Sequence, residues 1–396
     1  MLTILSVLLF LLSFIHFCLA VTLMGECLAS ALNIKKDENF NDKWLHTSVS
    51  VLIPAHNEEK VISQTLKTII PQLKSTDNII VIADNCTDCT VAVVENMGVK
   101  IIERQNDLLK GKGYALDFGV NYLRENPPDV VIFIDADCNV EQNAIAFLVK
   151  KTLMSKKPVQ ALYLMEKPMQ PSGKDQISAF AFKVKNLVRP LGLYNLNQPC
   201  LLTGTGMAIR WEVLKTTNLA SGEIVEDMKL GLDLAIASYP PIFCPSAHIT
   251  GRLPQKEQAA TTQRTRWEHG HLQTAINYVP LLIKESVKQR RFDLFILALD
   301  LAIPPLSLFV SFSIALTLIS FLSLYYGIFF PFLVNAIASL LIFFGIFIAW
   351  VKFAREELTL TTLMKIPLYI LWKIPLYFKF LFERENQWIR TERDDI

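Results

Sequence analysis

Asp135 and Asp137 stand two residues apart in "VVIFIDADCN", directly behind an apolar run. Side chains at i and i+2 of a strand point the same way, so both carboxylates can reach one point. Hard oxygen ligands in that arrangement suit Mg²⁺ or Mn²⁺, which commonly completes its shell with substrate phosphates. The pair also suits an ordinary turn, because Asp and Asn favour strand ends. Further on, "EIVEDMKLGLDLA" opens with Glu226 and Asp227, ahead of Met228, Leu232 and Ile236 at helical spacing. A carboxylate at that position can cap a helix and meet its positive dipole, or it can act as a general base toward an alcohol.

A third group lies in "TTQRTRWEHGHLQ", residues 261–273. If 261–271 is helical, Gln263, Arg266 and Trp267 stand at i, i+3 and i+4 and project together. The arginine then offers charge to a phosphate, the indole an apolar wall and the glutamine a hydrogen bond. The alternative is a basic juxtamembrane helix touching lipid headgroups, with the tryptophan as interfacial anchor. Arg264 is expected to face elsewhere, and His269 and His271 to lie at the surface without a metal.

The elements that must position these groups alternate in type. "VSVLIPA", "NIIVIAD", "VKIIE" and "DVVIFIDAD" are strand-like, and each is followed by a helix-like segment. Continuous Val/Ile runs indicate strands buried on both faces, and hence a mostly parallel α/β sheet with helices packed on each side. In such sheets ligands bind at the carboxyl ends of the strands. Those ends carry His56, Asn57 and Glu58, then Asp84, then Asp135 and Asp137. A cleft lined with carboxylates follows.

The chain has 396 residues, of which 52% are hydrophobic and 19% charged, a greasier balance than is usual for soluble proteins. The net charge of +2 is too small for an electrostatic nucleic-acid binder, and no helix-turn-helix or zinc-finger spacing occurs. Seven cysteines without a repeating framework argue against a disulfide-stapled domain. Apolar residues concentrate at the two ends. Residues 1–25 contain no Asp, Glu, Lys or Arg, with His16 their sole basic side chain, and are long enough to cross roughly 30 Å of hydrocarbon. Two more spans are expected within 301–350, near 301–324 and 327–350, joined by the uncharged turn "SLYYGIF".

Lys35 and Lys36, then Lys288, Arg290 and Arg291, then Lys352 and Arg355 flank these spans. The positive-inside rule places all three flanks in the cytoplasm. The expected organisation is a transmembrane helix over 1–25, a linker over 26–48 and an α/β domain over 49–280. A juxtamembrane segment over 281–300, the hairpin over 301–350, and an interfacial segment with a cytoplasmic tail over 351–396 complete it. The last of these contains "KIPLY" twice, with prolines that limit regular helix.

In order, "VLIPAHNEE", "ADNCTD", "GKGYAL", "DAD", "TGTGMAIR", "VED" and "QRTRW" resemble the motifs of the membrane-bound, inverting family 2 glycosyltransferases with a GT-A domain. That group includes cellulose, hyaluronan and ceramide-glucosyl enzymes. The resemblance covers roughly 49–273, together with the anchor-before, hairpin-after layout. Two departures stand out: "ADNCTDCT" has Asn and Cys where the family more often has Asp-Gly-Ser, and "VED" has Val where many members have Thr.

The resemblance implies a role for each matching residue. Asp84 would hold the nucleoside of a sugar nucleotide, with Glu58 near the base and Lys112 near the phosphates. Asp135 would support the donor and Asp137 the metal, Mg²⁺ or Mn²⁺. Asp227 would be the catalytic base, Glu226 would belong with Trp267 to the acceptor site, and Gln263 and Arg266 would bind the diphosphate.

The implied activity is inverting transfer from a nucleotide sugar, with a UDP-sugar the expected donor, to a lipid-linked or glycan acceptor in contact with membrane lipids. The expected location is a bacterial inner membrane, with several passes and a cytoplasmic catalytic domain. A small processive polysaccharide synthase, a sphingolipid-type glucosyltransferase and an inactive membrane scaffold of the same fold remain as alternatives.

Overall fold

Seven-residue runs of Val, Ile, Leu and Ala form the middle of a sheet because each can be covered on both faces. β1 (Val49–Ala55) and β2 (Asn78–Asp84) are buried almost throughout, as is β4 (Val130–Phe133). They pair in parallel, β1 lying between β2 and β4, and β3 (Lys100–Arg104) adds to the outer side of β2. The computed structural model describes residues 2–32, 42–75, 77–166, 171–252 and 257–366, with Tyr369, Lys373 and Tyr377.

Four further strands extend the sheet: β5 (Asn139–Val140), β6 (Val159–Glu166), β7 (Met207–Arg210) and β8 (Ile242–Arg252). The order is β3-β2-β1-β4-β7-β6-β8-β5. β7 runs antiparallel to both β4 and β6, so the sheet is parallel where the motifs of the first half gather and mixed beyond. Helices cover it as the periodicity predicts. The helix Lys112–Leu123 turns Ala115, Leu116, Val120 and Leu123 into a core shared with Leu52, Ile82, Phe133 and Ile209. Burying such side chains contributes about 1.5–3 kcal/mol each.

The chain forms two compact units. The sheet unit comprises Lys36–Gln170 and Pro199–Thr274. The helical unit comprises Met1–Lys35, Pro171–Gln198 and Ala275–Arg384. The α/β domain expected over 49–280 is therefore interrupted. The helix Gly173–Lys183 and the turn of π-helix Val184–Val188 bury Phe180, Val184 and Val188 with Ala20, Leu23, Phe309, Ile342 and Trp350, so this insert belongs with the apolar helices.

Among the described residues, three helices of the helical unit are long and apolar enough to cross a membrane: Ser6–Ser30, Leu306–Tyr326 and Phe330–Phe353. The second begins later than expected. Leu301 lies in the last turn of the helix Phe292–Ala302, and the Pro304-Pro305 pair prevents that helix from running on. Residues 33–41 of the expected linker lie outside the described residues, as does nearly all of 351–396 beyond Ile366, including the charged tail.

Polar contacts cross the helical unit at two levels. Asn335 donates from Nδ2 to Ser13 Oγ at 2.9 Å, and its Oδ1 lies 2.9 Å from His16 Nδ1. Arg189 donates from Nε to Glu26 Oε2 at 2.9 Å and from Nη2 to Asp300. In an apolar setting such bonds fix which helix faces meet.

Candidate active site

The carboxyl ends of β1, β2, β3 and β4 bring the first group of polar residues together. β2 ends on Asp84 and β3 on Arg104, and the two are register partners. Arg104 Nη1 donates to Asp84 Oδ1 at 2.6 Å, Asn85 Nδ2 donates to the same oxygen at 3.1 Å, and Arg104 Nη2 reaches Leu109 O at 2.7 Å. Burial raises the Asp84 carboxyl above its ordinary range, and the Arg104 guanidinium opposes that rise. His56, just beyond β1, places Nδ1 2.6 Å from the Asp84 carbonyl oxygen. Glu58 follows it, buried, its backbone N–H donating to Thr90 Oγ1 at 2.8 Å. Arg104 was not anticipated from the sequence. Its signal was alignment: a cation at the last position of the strand beside the one that ends in Asp84.

Asp135 and Asp137 follow β4 in a turn, not on the strand from which their spacing was argued. Their carboxylate oxygens and Cys138 Sγ lie within 4.8 Å of one another. Burial pushes the Cys138 thiol well above its usual range, and Asp137 and Asp135 add to that shift. The two carboxylates are therefore the ligands suited to a hard cation. The Asp135 backbone N–H donates to Thr205 Oγ1 at 3.1 Å, tying this turn to the "TGTGMAIR" loop.

That loop is the hub of the second group. Gly204 has φ +90, and a Cβ placed there would lie 3.2 Å from Asp227 Oδ2 and 3.5 Å from Lys112 Nζ. Only glycine lets the backbone approach both charged groups so closely in this conformation. Lys112 donates from Nζ to Gly204 O at 2.7 Å, is ion-paired with Asp135, and lies 3.7 Å from Glu226 Oε1. Lys112 is the first residue of its helix. Gly113 after it is pressed under a loop, since a Cβ there would meet Ser221 O at 2.5 Å.

The helix Glu226–Ile236 opens on the two predicted carboxylates, although no side chain caps it. Burial raises the Glu226 carboxyl to about 7, with Lys112 pulling it down and Asp227 adding to the rise. Burial by itself would lower the pKa of the Lys112 ammonium; Asp135 and Glu226 outweigh it and hold the lysine above its ordinary value. Asp135, Glu226 and Asp227 thus share one half-buried lysine.

Gln263, Arg266 and Trp267 lie on the helix Glu257–Gln289, with Gln263 buried and the other two partly exposed. Gly270, on the same face one turn later, would place a Cβ 2.7 Å from Val225 Cγ1. The helix is thereby fixed against the residue that precedes Glu226. Contrary to the expectation from sequence, His269 and His271 are buried, at 1% and 3% exposure, because this helix is covered around much of its circumference. Arg264 is buried as well.

The class follows from comparison with known proteins. Residues 46–270, more than half of the chain, match the family model "Glycosyltransferase like family 2". The chain belongs to that family. It is 29% identical over 274 residues to the probable glycosyltransferase YdaM of Bacillus subtilis, covering 62% of this chain and 60% of that one. It is 30% identical over 128 residues to 4,4'-diaponeurosporenoate glycosyltransferase of Staphylococcus haemolyticus, covering 29% of this chain and 33% of that one. The chain thus spans less than two thirds of the length of either relative.

Among solved structures it is similar to the mannosyltransferase PcManGT from Pyrobaculum calidifontis, in complex with GDP-Man and Mn²⁺. The TM-score is 0.53 at 14% identity, covering 96% of this chain and 99% of that one. This likeness shows a shared fold; this chain joins an α/β sheet domain of GT-A type to candidate membrane helices.

Proposed function

We propose that the protein is a membrane-bound inverting glycosyltransferase. It moves a sugar from a nucleotide sugar, a UDP-sugar, to a lipid-linked acceptor, forming a β-glycosidic bond in cell-surface polysaccharide or glycolipid synthesis. The observation that carries this reading is the convergence of Asp135 and Glu226 on Lys112, with Lys112 and Asp227 both against Gly204. A general base must stand beside the donor's charged end for direct displacement, and this cluster supplies both.

Asp84, oriented by Arg104, receives the nucleoside, with Glu58 nearby. Asp135 and Asp137 would hold Mg²⁺ or Mn²⁺, whose positive charge favours departure of the nucleoside diphosphate. The mannosyltransferase of the same fold, which holds GDP-Man and Mn²⁺, accords with such a site. Arg266 and Gln263 bind the diphosphate, and Trp267 with Glu226 walls the acceptor. Asp227 accepts the proton of the acceptor hydroxyl as its oxygen attacks the anomeric carbon. One displacement inverts configuration, so an α-linked donor gives a β-glycoside.

A lipid-like acceptor is supported by the three candidate spans and by a relative named for 4,4'-diaponeurosporenoate. The cationic flanks of the spans favour a cytoplasmic catalytic domain with access to nucleotide sugars. The test incubates purified protein and native membrane lipids with a panel of radiolabelled nucleotide sugars, then separates lipid-linked from polymeric product. Asp227→Asn keeps side-chain size and much capping ability but cannot take the proton, so its rate should fall by roughly 10² or more with melting unchanged. Near-normal transfer by that variant would overturn the base assignment. Label in polymer alone would favour a processive synthase.

A further inference from the structure

Lys112 sits where a cation is disfavoured. It is the first residue of the helix Lys112–Leu123, at the end where the helix dipole repels positive charge. Its place is nevertheless fixed, because Gly113 is held against the backbone of Leu219 and Ser221. What offsets the cost is local: the Asp135 carboxylate, the Gly204 carbonyl oxygen at 2.7 Å and Glu226 at 3.7 Å. A lysine serving only a substrate's phosphates would have its ammonium directed into the cleft. This ammonium is instead engaged by the protein, and one of its partners belongs to the pair of carboxylates that converges within 4.8 Å.

We propose that Lys112 is an internal stand-in for the metal ion at Asp135, a positioning residue that the ion must displace, after which Lys112 rests on Gly204 O and Glu226. Metal entry and the alignment of the Glu226–Ile236 helix are thereby coupled through one side chain. The inference rests on the proposed metal site, and it gives Lys112 a role beyond contact with phosphates.

The test measures Mn²⁺ binding to the purified full-length protein, without nucleotide, by the electron paramagnetic resonance signal of free Mn²⁺. Lys112→Met removes the charge, and Lys112→Gln removes it while keeping a donor for Gly204 O, so one of the two should preserve the fold. Both should bind Mn²⁺ roughly tenfold more tightly than the unmodified protein, because a competing cation next to Asp135 is gone. Lys110→Met should leave binding unchanged, and Asp137→Ala should abolish it. Mn²⁺ binding that is unchanged or weaker in both Lys112 variants would overturn the proposal, as would the lack of any Asp137-dependent binding. Absence of glycosyl transfer alongside the expected metal result would instead overturn the functional reading and leave this inference standing.

Discussion

Replacing Gly270 with alanine probes how the Gln263–Trp267 face is held beside the helix that opens on Glu226. In an unobstructed helix interior the change stabilises by about 1 kcal/mol. Here the new Cβ would lie 2.7 Å from Val225 Cγ1 and 3.2 Å from Cγ2. Carbon atoms pack best at about 3.5–4.0 Å, so the shortfall is close to 1 Å. Val225 is β-branched and buried, and cannot swing aside. The two segments must therefore separate, and overpacking of this kind costs about 1–3 kcal/mol.

Set against the helix gain, the net effect on stability runs from about zero to about 2 kcal/mol of destabilisation. Activity should suffer more, since a misplacement of about 1 Å can lower a rate by roughly 10². The assay is transfer rate together with thermal unfolding for Gly270→Ala, Val225→Ala and the double variant. Val225→Ala removes both crowding methyl groups, so the double variant should recover transfer, with a favourable coupling of about 1 kcal/mol or more. Gly270→Ala that stabilises by the full helix increment and transfers normally would refute the packing argument, as would strict additivity in the double variant.

Three other outcomes are expected. Glu226 has a folded-state pKa raised to about 7 from an ordinary 4.5, so the folded protein binds the extra proton between those values. Its contribution to stability is therefore fully present below about pH 4.5 and lost as pH rises through about 7, a change of at most roughly 3 kcal/mol. Unfolding of Glu226→Gln across that window should lack this slope. Arg104→Ala frees Asp84 Oδ1 from its charged partner, and donor KM should rise about tenfold or more with kcat less affected; equal donor KM would remove Arg104 from the proposed nucleoside site. In a double-mutant cycle, His16→Ala and Asn335→Ala should couple by about 0.6–2 kcal/mol in detergent unfolding, and zero coupling would show that their contact fixes no helix packing.

The local pattern of residues was enough for several features. Strands β1, β2 and β4 were legible because buried strands need unbroken Val/Ile runs, whereas β3, expected to be buried as well, lies at the sheet edge and is partly exposed along its length. Three candidate spans were legible because hydrocarbon thickness sets a length and composition that chance rarely meets. The acidic residues at strand ends were legible because those positions are where an α/β sheet opens to ligand, and the helix beginning at Glu226 showed in the spacing of Met228, Leu232 and Ile236.

Other features depend on pairings that no local period encodes. Arg104 acquires its role only through the register that sets it opposite Asp84 on β2. Residues Pro171–Gln198 leave the sheet unit because Phe180, Val184 and Val188 find their apolar partners among helices far away in the chain. His269 and His271 are polar by type yet buried, since burial depends on what packs over a helix and not on the helix's own sequence. Lys112 meets Asp135 and Glu226 only because Gly204 and Gly113, neither with a side chain, let three separate segments close to within hydrogen-bonding and ion-pairing distance. Periodicity is a property of neighbours along the chain; the charge balance of the site arises among neighbours in space.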